Sequence, residues 1–162
     1  IALPAEWLFD IVADVERYPE FLPLMREARI VGRHQDTYQT EQSLALGMLM
    51  HRFRTQTELV RPHAITVISD DRSFCRFDIH WAFSPLGDDH CHVDFALDCA
   101  TRSLFLRPVI DMLVLPMATS MVAAFEARAH ALAAKAGVAD SVRKPTVASL
   151  DPDLPEGGPG GL

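Results

Sequence analysis

The stretch RFDIHWAFSPLGDDHCHVDFALDC, Arg76–Cys99, decides the fold class. In its first half Phe77, Ile79, Trp81 and Phe83 alternate with Arg76, Asp78, His80 and Ala82. In its second half Cys91, Val93, Phe95, Leu97 and Cys99 alternate with His92, Asp94, Ala96 and Asp98. Successive side chains of a strand point to opposite faces, so this two-residue period predicts two strands, each with one buried face. The intervening PLGDD, Pro85–Asp89, carries turn residues and predicts a hairpin. Weaker strands are expected at Ala28–Arg33, Thr37–Leu46, Met48–Val60 and Ala64–Asp70, with Arg61-Pro62 marking one turn. The middle of the chain reads as an antiparallel meander of about six or seven strands.

On both sides of the meander the period becomes helical. Pro4 suits a first helical turn, Glu6 suits the positive end of the helix dipole, and Trp7, Leu8, Ile11, Val12 and Val15 form one apolar face. Pro19 biases Tyr18 away from helical angles, and a short second helix or turn is expected over Pro19–Met25. Downstream, Leu106–Ala136 predicts a long helix that contains Pro108 and Pro116, with a bend at Pro116. Its second half is rich in alanine: Ala123, Ala124, Ala127, Ala129, Ala131, Ala133 and Ala134. Gly137 suits the helix end, and the polar, Pro- and Gly-containing run Val138–Leu162 is expected to be a disordered tail.

The fold class is therefore α+β, one domain over residues 1–137. Two short N-terminal helices precede a curved antiparallel sheet that wraps a long C-terminal helix. A strongly twisted sheet curls around an object, and the helix is the object available. Alanines facing the sheet would leave space between the two. In DVERYPEFLP, Asp14–Pro23, two prolines bracket Tyr18 and Phe21. That segment either closes one mouth of an internal space or plugs the core.

The 162 residues are 49% hydrophobic and 23% charged, enough for one sizeable core. Fifteen Lys and Arg against 22 Asp and Glu give a net charge of −7. That balance argues against general nucleic-acid binding, and no direct DNA binding is expected. It also disfavours docking on anionic lipid by charge alone, leaving a local basic patch open. Cys75, Cys91 and Cys99 form no CxxC pair and read as small apolar residues in a reducing compartment. The chain starts at Ile1 without a methionine, so a preceding targeting segment stays open. Leu104–Phe125 is apolar but carries Arg107, Asp111 and two prolines, and reads as a buried helix rather than a membrane span.

LFDIVADVERYPEFLP, Leu8–Pro23, resembles the N-terminal signature of the coenzyme Q-binding START-domain proteins. That group, within the polyketide cyclase/dehydrase superfamily, also includes the bacterial ribosome association toxin. WAFSPL, Trp81–Leu86, resembles the group's W-x-F-x-P-L strand and turn. CHVDFALD, Cys91–Asp98, lies where its next strand stands, and MVAAFEARA, Met121–Ala129, resembles its closing helix motif. The matches span about Pro4 to Ala136. Two departures stand out. The strand that usually precedes the first helix is largely absent. The Gly-Pro-Phe turn before the Trp strand is Ser69-Asp70-Asp71-Arg72-Ser73-Phe74, which keeps only the Phe.

The resemblance implies a START-like helix-grip fold with a hydrophobic tunnel. It also implies binding of ubiquinone or another isoprenoid lipid by a carrier that supports respiration or quinone biosynthesis. The place it implies is the cytoplasm, peripheral at the inner membrane. On this reading Tyr18, Pro19, Phe21 and Leu22 form a lid. Phe77, Ile79, Trp81, Phe83, Val93, Phe95 and Leu97 line the wall, and Met117, Met121 and Phe125 face them from the helix. Two other functions are carried alongside: a toxin-like protein that contacts the ribosome and blocks subunit joining, and a cyclase or dehydratase. A basic patch among Arg26, Arg29, Arg33, Arg52, Arg54 and Arg61 would favour the first, and a polar group inside the cavity the second.

LALGMLMHRF, Leu44–Phe53, predicts a hairpin with an apolar tip, Leu46, Met48, Leu49 and Met50, suited to membrane contact or cavity gating. Arg52 and Arg54 nearby read as solvated side chains that could meet lipid phosphates. In DDHCH, Asp88–His92, His90 and His92 share a strand face, yet Cys91 points away and the carboxylates lie in a turn. That cluster reads as a polar outer face, and Arg107 with Asp111 reads as a helix-surface pair. No catalytic residue, cofactor or metal is expected. Phosphate-cradling glycine loops and nucleophile elbows are missing from the sequence.

Overall fold

The computed structural model describes residues 1–104 and 107–137; the side chains of Leu46 and of 109–117 stand outside the description. The expected tail at 138–162, Leu106, and the side chains of Met117 and Asp111 therefore lie outside the described residues. Helix α1, Ala5–Ala13, leads into a 3-10 helix, Val15–Glu20. Six strands follow: β1 Met25–His34, β2 Thr37–Leu46, β3 Leu49–Val60, β4 Ala64–Ile68, β5 Phe74–Pro85 and β6 Cys91–Thr101. Helix α2 spans Arg107–Ala136 and stays α-helical through Pro116. The strands form one antiparallel sheet in sequence order, the helix-grip arrangement expected.

The short second helix falls earlier than Pro19–Met25. It forms around Val15, which is buried, and its end is fixed by the Tyr18 carbonyl accepting from the Phe21 and Leu22 amides at 3.2 and 2.8 Å. Leu8, Phe9 and Val12 of α1 pack with Ile79, Trp81 and Phe83 of β5 and with Phe125, Ala129 and Ala133 of α2. Phe9 meets Phe83 at 5.7 Å between ring centroids. At the free edge of β6, Ile1 exchanges two backbone hydrogen bonds with Cys91, each 2.9 Å.

The alanine-rich half of α2 does not leave the space expected of it. Ala129 and Ala133 are buried, but against α1, where the Trp7 indole donates to the Ala129 carbonyl at 3.4 Å. Ala123, Ala127, Ala131 and Ala134 face solvent. Small side chains here bring two helices close. The internal space lies one or two turns earlier on α2.

Candidate functional site

A cavity of about 300 Å³ lies between the concave face of the sheet and α2. Its wall is assembled strand by strand. Tyr38, Gln42 and Leu44 come from β2, and His51, Phe53 and Thr57 from β3. Ile65 and Val67 come from β4, Phe77, Ile79 and Trp81 from β5, and Leu97 and Cys99 from β6. The helix contributes Ser120 and Met121, and the chain from Val12 to Met25 closes the remaining side with Val15, Tyr18, Leu22, Pro23 and Leu24. Among the described lining residues Pro23 and Ser120 are the exposed ones, so the cavity opens on their side.

Two aromatic clusters shape the space. At its closed end Trp81, Tyr18 and Phe21 converge on Phe125, with centroids at 5.1, 5.0 and 5.0 Å and near-perpendicular planes. Nearer the β2–β3 turn, Phe74 meets Phe53 and Phe77 at 5.4 and 4.9 Å. His51 stacks on Phe53 at 5.8 Å and stands edge-on to Phe74 at 5.6 Å. Edge-to-face rings hold one another more firmly than area alone provides, by about 0.5–1.5 kcal/mol a pair.

The polar groups of the wall are largely satisfied by the protein itself. The last turn of α1 leaves carbonyls without helical partners. The Tyr18 hydroxyl donates to the Val12 carbonyl, and the Tyr38 hydroxyl to the Ala13 carbonyl at 3.0 Å. Both phenols thus turn their oxygens to the helix and their rings to the cavity. Burial pushes the Tyr38 phenol up to about 12 and the Tyr18 phenol well above its ordinary value. Burial likewise raises the Cys99 thiol. Gln42 spends its amide on two neighbours, donating to the Thr40 and Thr55 hydroxyls at 2.8 and 3.0 Å, and those hydroxyls lie 2.6 Å apart. His51 is the one imidazole on the wall.

Of the residues singled out from sequence, Tyr18, Leu22, Phe77, Ile79, Trp81, Leu97 and Met121 line this cavity. Pro19 lies instead in a separate surface groove, beside Arg29 and Glu41. Phe21 sits in a surface cleft with Trp7 and Arg128, whose guanidinium stands 5.5 Å over its ring. Phe83 is sandwiched between Phe9 and Trp81, Phe95 packs on Trp81 at 4.4 Å, and Val93 and Phe125 belong to the core outside the cavity. Met117 carries no described side chain. Met48, Leu49 and Met50 stand exposed at the β2–β3 turn.

Sequence reasoning missed most of the β2–β3 side of the wall. Tyr38, Thr40, Gln42 and Leu44 do alternate, but polar inward residues hid the period. On β5 and β6 the outward residues expected from the alternation, Asp78, His80, His92, Asp94 and Asp98, all face solvent. β2 and β3, whose inward residues were not assigned from sequence, bring Gln42, Thr57 and His51 inside. His90 and His92 pair separately, with Asp89 at 2.8 Å and Asp94 at 3.2 Å. Among the described residues no group of three or more His, Cys, Asp or Glu side chains is placed to hold a metal. The six arginines do not gather into one patch. Arg29 and Arg54 share Glu41, Arg61 pairs with Asp10, Arg33 lies over Tyr38 and Arg52 lies 3.8 Å from Glu27.

The sequence profile of the polyketide cyclase / dehydrase and lipid transport family matches residues 1–126. The chain belongs to that family. One relative is the ribosome association toxin RatA of Pseudomonas aeruginosa, 32% identical over 129 residues, which are 80% of this chain and 90% of the toxin. Another is the mitochondrial coenzyme Q-binding protein COQ10 homolog B of Xenopus laevis, 25% identical over 128 residues. Those residues are 76% of this chain and 52% of that protein. Among solved structures, the Zhui aromatase/cyclase from a Streptomyces species superposes with a TM-score of 0.71 at 15% identity, over 80% of this chain and 88% of that one. This likeness shows the shared fold. Family membership and the START-like helix-grip architecture both agree with the sequence expectation. Among the described residues no helix is long and apolar enough to cross a membrane.

Proposed function

We propose that the protein is a non-catalytic carrier that holds an isoprenoid quinone, ubiquinone by the coenzyme Q-binding relative, between its sheet and α2. The observation that carries this reading is the cavity itself. Small-molecule sites commonly measure about 300–1,000 Å³, apolar with a few placed polar groups. At about 300 Å³ the space suits a ring and the start of a chain, so a long polyprenyl tail leaves by the mouth. A quinone ring presents carbonyl oxygens that need donors. Gln42 has committed its amide hydrogens and the Thr57 hydroxyl is bonded to the Tyr38 phenol, which leaves the His51 imidazole as the donor on that wall among the described residues. Among the described residues no carboxylate lines the cavity itself, which favours holding over transforming the ligand.

The test is organic extraction of the purified protein, read by absorbance and mass spectrometry. A Leu97→Trp variant that fills the cavity is the control. A stoichiometric isoprenoid quinone in the wild type and none in the variant is the expected result. Equal, empty extracts from both would end the carrier reading. A cyclase of the same family is ruled in only if turnover appears and His51→Ala abolishes it without unfolding the domain.

A second reading, association with the ribosome, is favoured by the toxin relative, which this chain matches over 90% of that protein's length. The basic patch that would favour it does not form among these arginines, since Arg29 and Arg54 share Glu41, Arg61 pairs with Asp10 and Arg33 lies over Tyr38, which counts against broad RNA contact. Co-sedimentation with isolated ribosomal subunits tests it.

A further inference from the structure

The β2–β3 hairpin turns at Gly47, whose φ of 64° is the left-handed region that glycine tolerates. Met48 is 102% exposed, the most exposed large apolar side chain among the described residues, and Leu49 and Met50 are 60% and 57% exposed. From Leu44 to Met50 the run LALGMLM has no charged or hydrogen-bonding side chain. Single exposed apolar residues are ordinary, but a contiguous exposed group marks an interaction site.

The tip stands beside the mouth of the cavity. Leu44 and His51 face each other across the hairpin and both line the cavity, just below the tip. The Ala45 amide donates to the Leu24 carbonyl at 2.9 Å, which sets Pro23, at the mouth, next to the same hairpin end. From the far side, His51 packs on Phe74, and the Phe74 carbonyl accepts from Arg102 Nε at 2.8 Å. Leu104, 79% exposed, follows two residues later. Arg52, Arg72 and Arg102 are exposed around this end. Of the carboxylates there, Glu27 lies 3.8 Å from Arg52, Asp71 accepts from the Ser73 amide and hydroxyl, and Asp70 faces solvent. Among the described residues this end thus sets three arginines against three carboxylates, without the acidic excess of the chain as a whole.

We propose that this end docks on a lipid bilayer. Met48, Leu49, Met50 and Leu104 enter the interface, and Arg52, Arg72 and Arg102 rest at the phosphate level, their stems along the apolar edge. The mouth then opens into lipid, and an apolar cargo passes between bilayer and cavity without crossing water. The purpose of this contact rests on the carrier reading, but the contact itself does not. A second copy of the chain is a poorer occupant, since a stable interface needs about 800 Å² from each partner and one hairpin tip is much smaller.

The test is flotation of the full chain with phosphatidylcholine vesicles, with and without phosphatidylglycerol. The wild type is expected to float, more strongly with the anionic lipid. The Met48→Asp/Leu49→Asp variant is expected to lose about tenfold or more in partitioning, because carboxylates resist entry into the bilayer. A Met48→Trp variant gives an independent reading: its emission should be quenched by brominated acyl chains. A wild type that stays with the buffer, an unquenched Trp, or a double variant that floats equally well would each overturn the proposal. So would a double variant that floats but loses self-association or ribosome co-sedimentation. Extraction of cargo is measured apart, so an empty cavity and a failed membrane contact are distinguishable.

Discussion

Trp81 of β5 and Phe125 of α2 meet edge to face, with ring centroids 5.1 Å apart and planes at 72°. This contact fastens the long helix to the sheet at the closed end of the cavity. Tyr18 and Phe21 join it from the N-terminal segment, so four rings from three parts of the chain share one point. Beyond it, toward Ser120 and Met121, sheet and helix separate and the cavity begins.

Phe125→Ala should therefore cost about 3–5 kcal/mol, the usual loss for a buried ring. Phe125 is 5% exposed and three rings lose their partner together. Urea unfolding measures it. A loss below about 1 kcal/mol would mean that the ring cluster does not fasten the helix.

Filling the cavity should separate binding from folding. Val67 and Leu97 line it from β4 and β6 and are only partly buried. Val67→Phe with Leu97→Phe adds volume into open space, so the melting temperature should hold or rise while bound lipid disappears from the extract. Retention of lipid at wild-type stoichiometry would move the ligand elsewhere.

His51 is the donor assigned to the ligand's polar end. His51→Leu keeps the apolar contacts with Phe53 and Phe74 and removes one hydrogen bond. Affinity for a short-chain quinone should fall about three- to tenfold, the value of a single net hydrogen bond. Affinity for a matched hydrocarbon without carbonyls should not change. Calorimetry with both ligands compares them, and equal losses would reduce His51 to a packing residue.

The chain contains two tyrosines, and both line the cavity, so tyrosinate absorbance reports on this site alone. The Tyr38 phenol is raised from its ordinary 10.0 to about 12, chiefly by burial, and Tyr18 is raised for the same leading cause. A raised phenol stabilises the fold fully below its unfolded value, and that stability is lost as pH climbs through the folded one. Stability should be flat up to about pH 10 and fall between pH 10 and about 12. Tyrosinate should appear together with unfolding, read by circular dichroism. Ionisation at the ordinary value in a folded chain would show that water reaches both hydroxyls.

The clean alternation of β5 and β6 was legible because their inward side chains are apolar and their outward ones are Asp and His. The hairpin tip was equally legible: LALGMLM states both its turn and its apolarity. Half of the wall was not. Thr40, Gln42 and Thr55 satisfy one another's hydrogen bonds inside the fold, and apolar periodicity cannot register polar residues that are buried as a set. Phe21 and Tyr18 read alike in DVERYPEFLP, yet one ring faces a surface cleft and the other the cavity.

Local period and short motifs are enough to give the order of elements, the antiparallel meander, the buried faces of β5 and β6 and the family resemblance. Where the empty space lies is a property of the folded chain. Local pattern says which side of a strand or helix is buried, but not what stands opposite. Ala129 and Ala133 met α1 and closed up, while Ser120 and Met121 stood across from a curved sheet and left a cavity. Which of these happens is set by how far two distant segments approach each other, and no single segment encodes that distance.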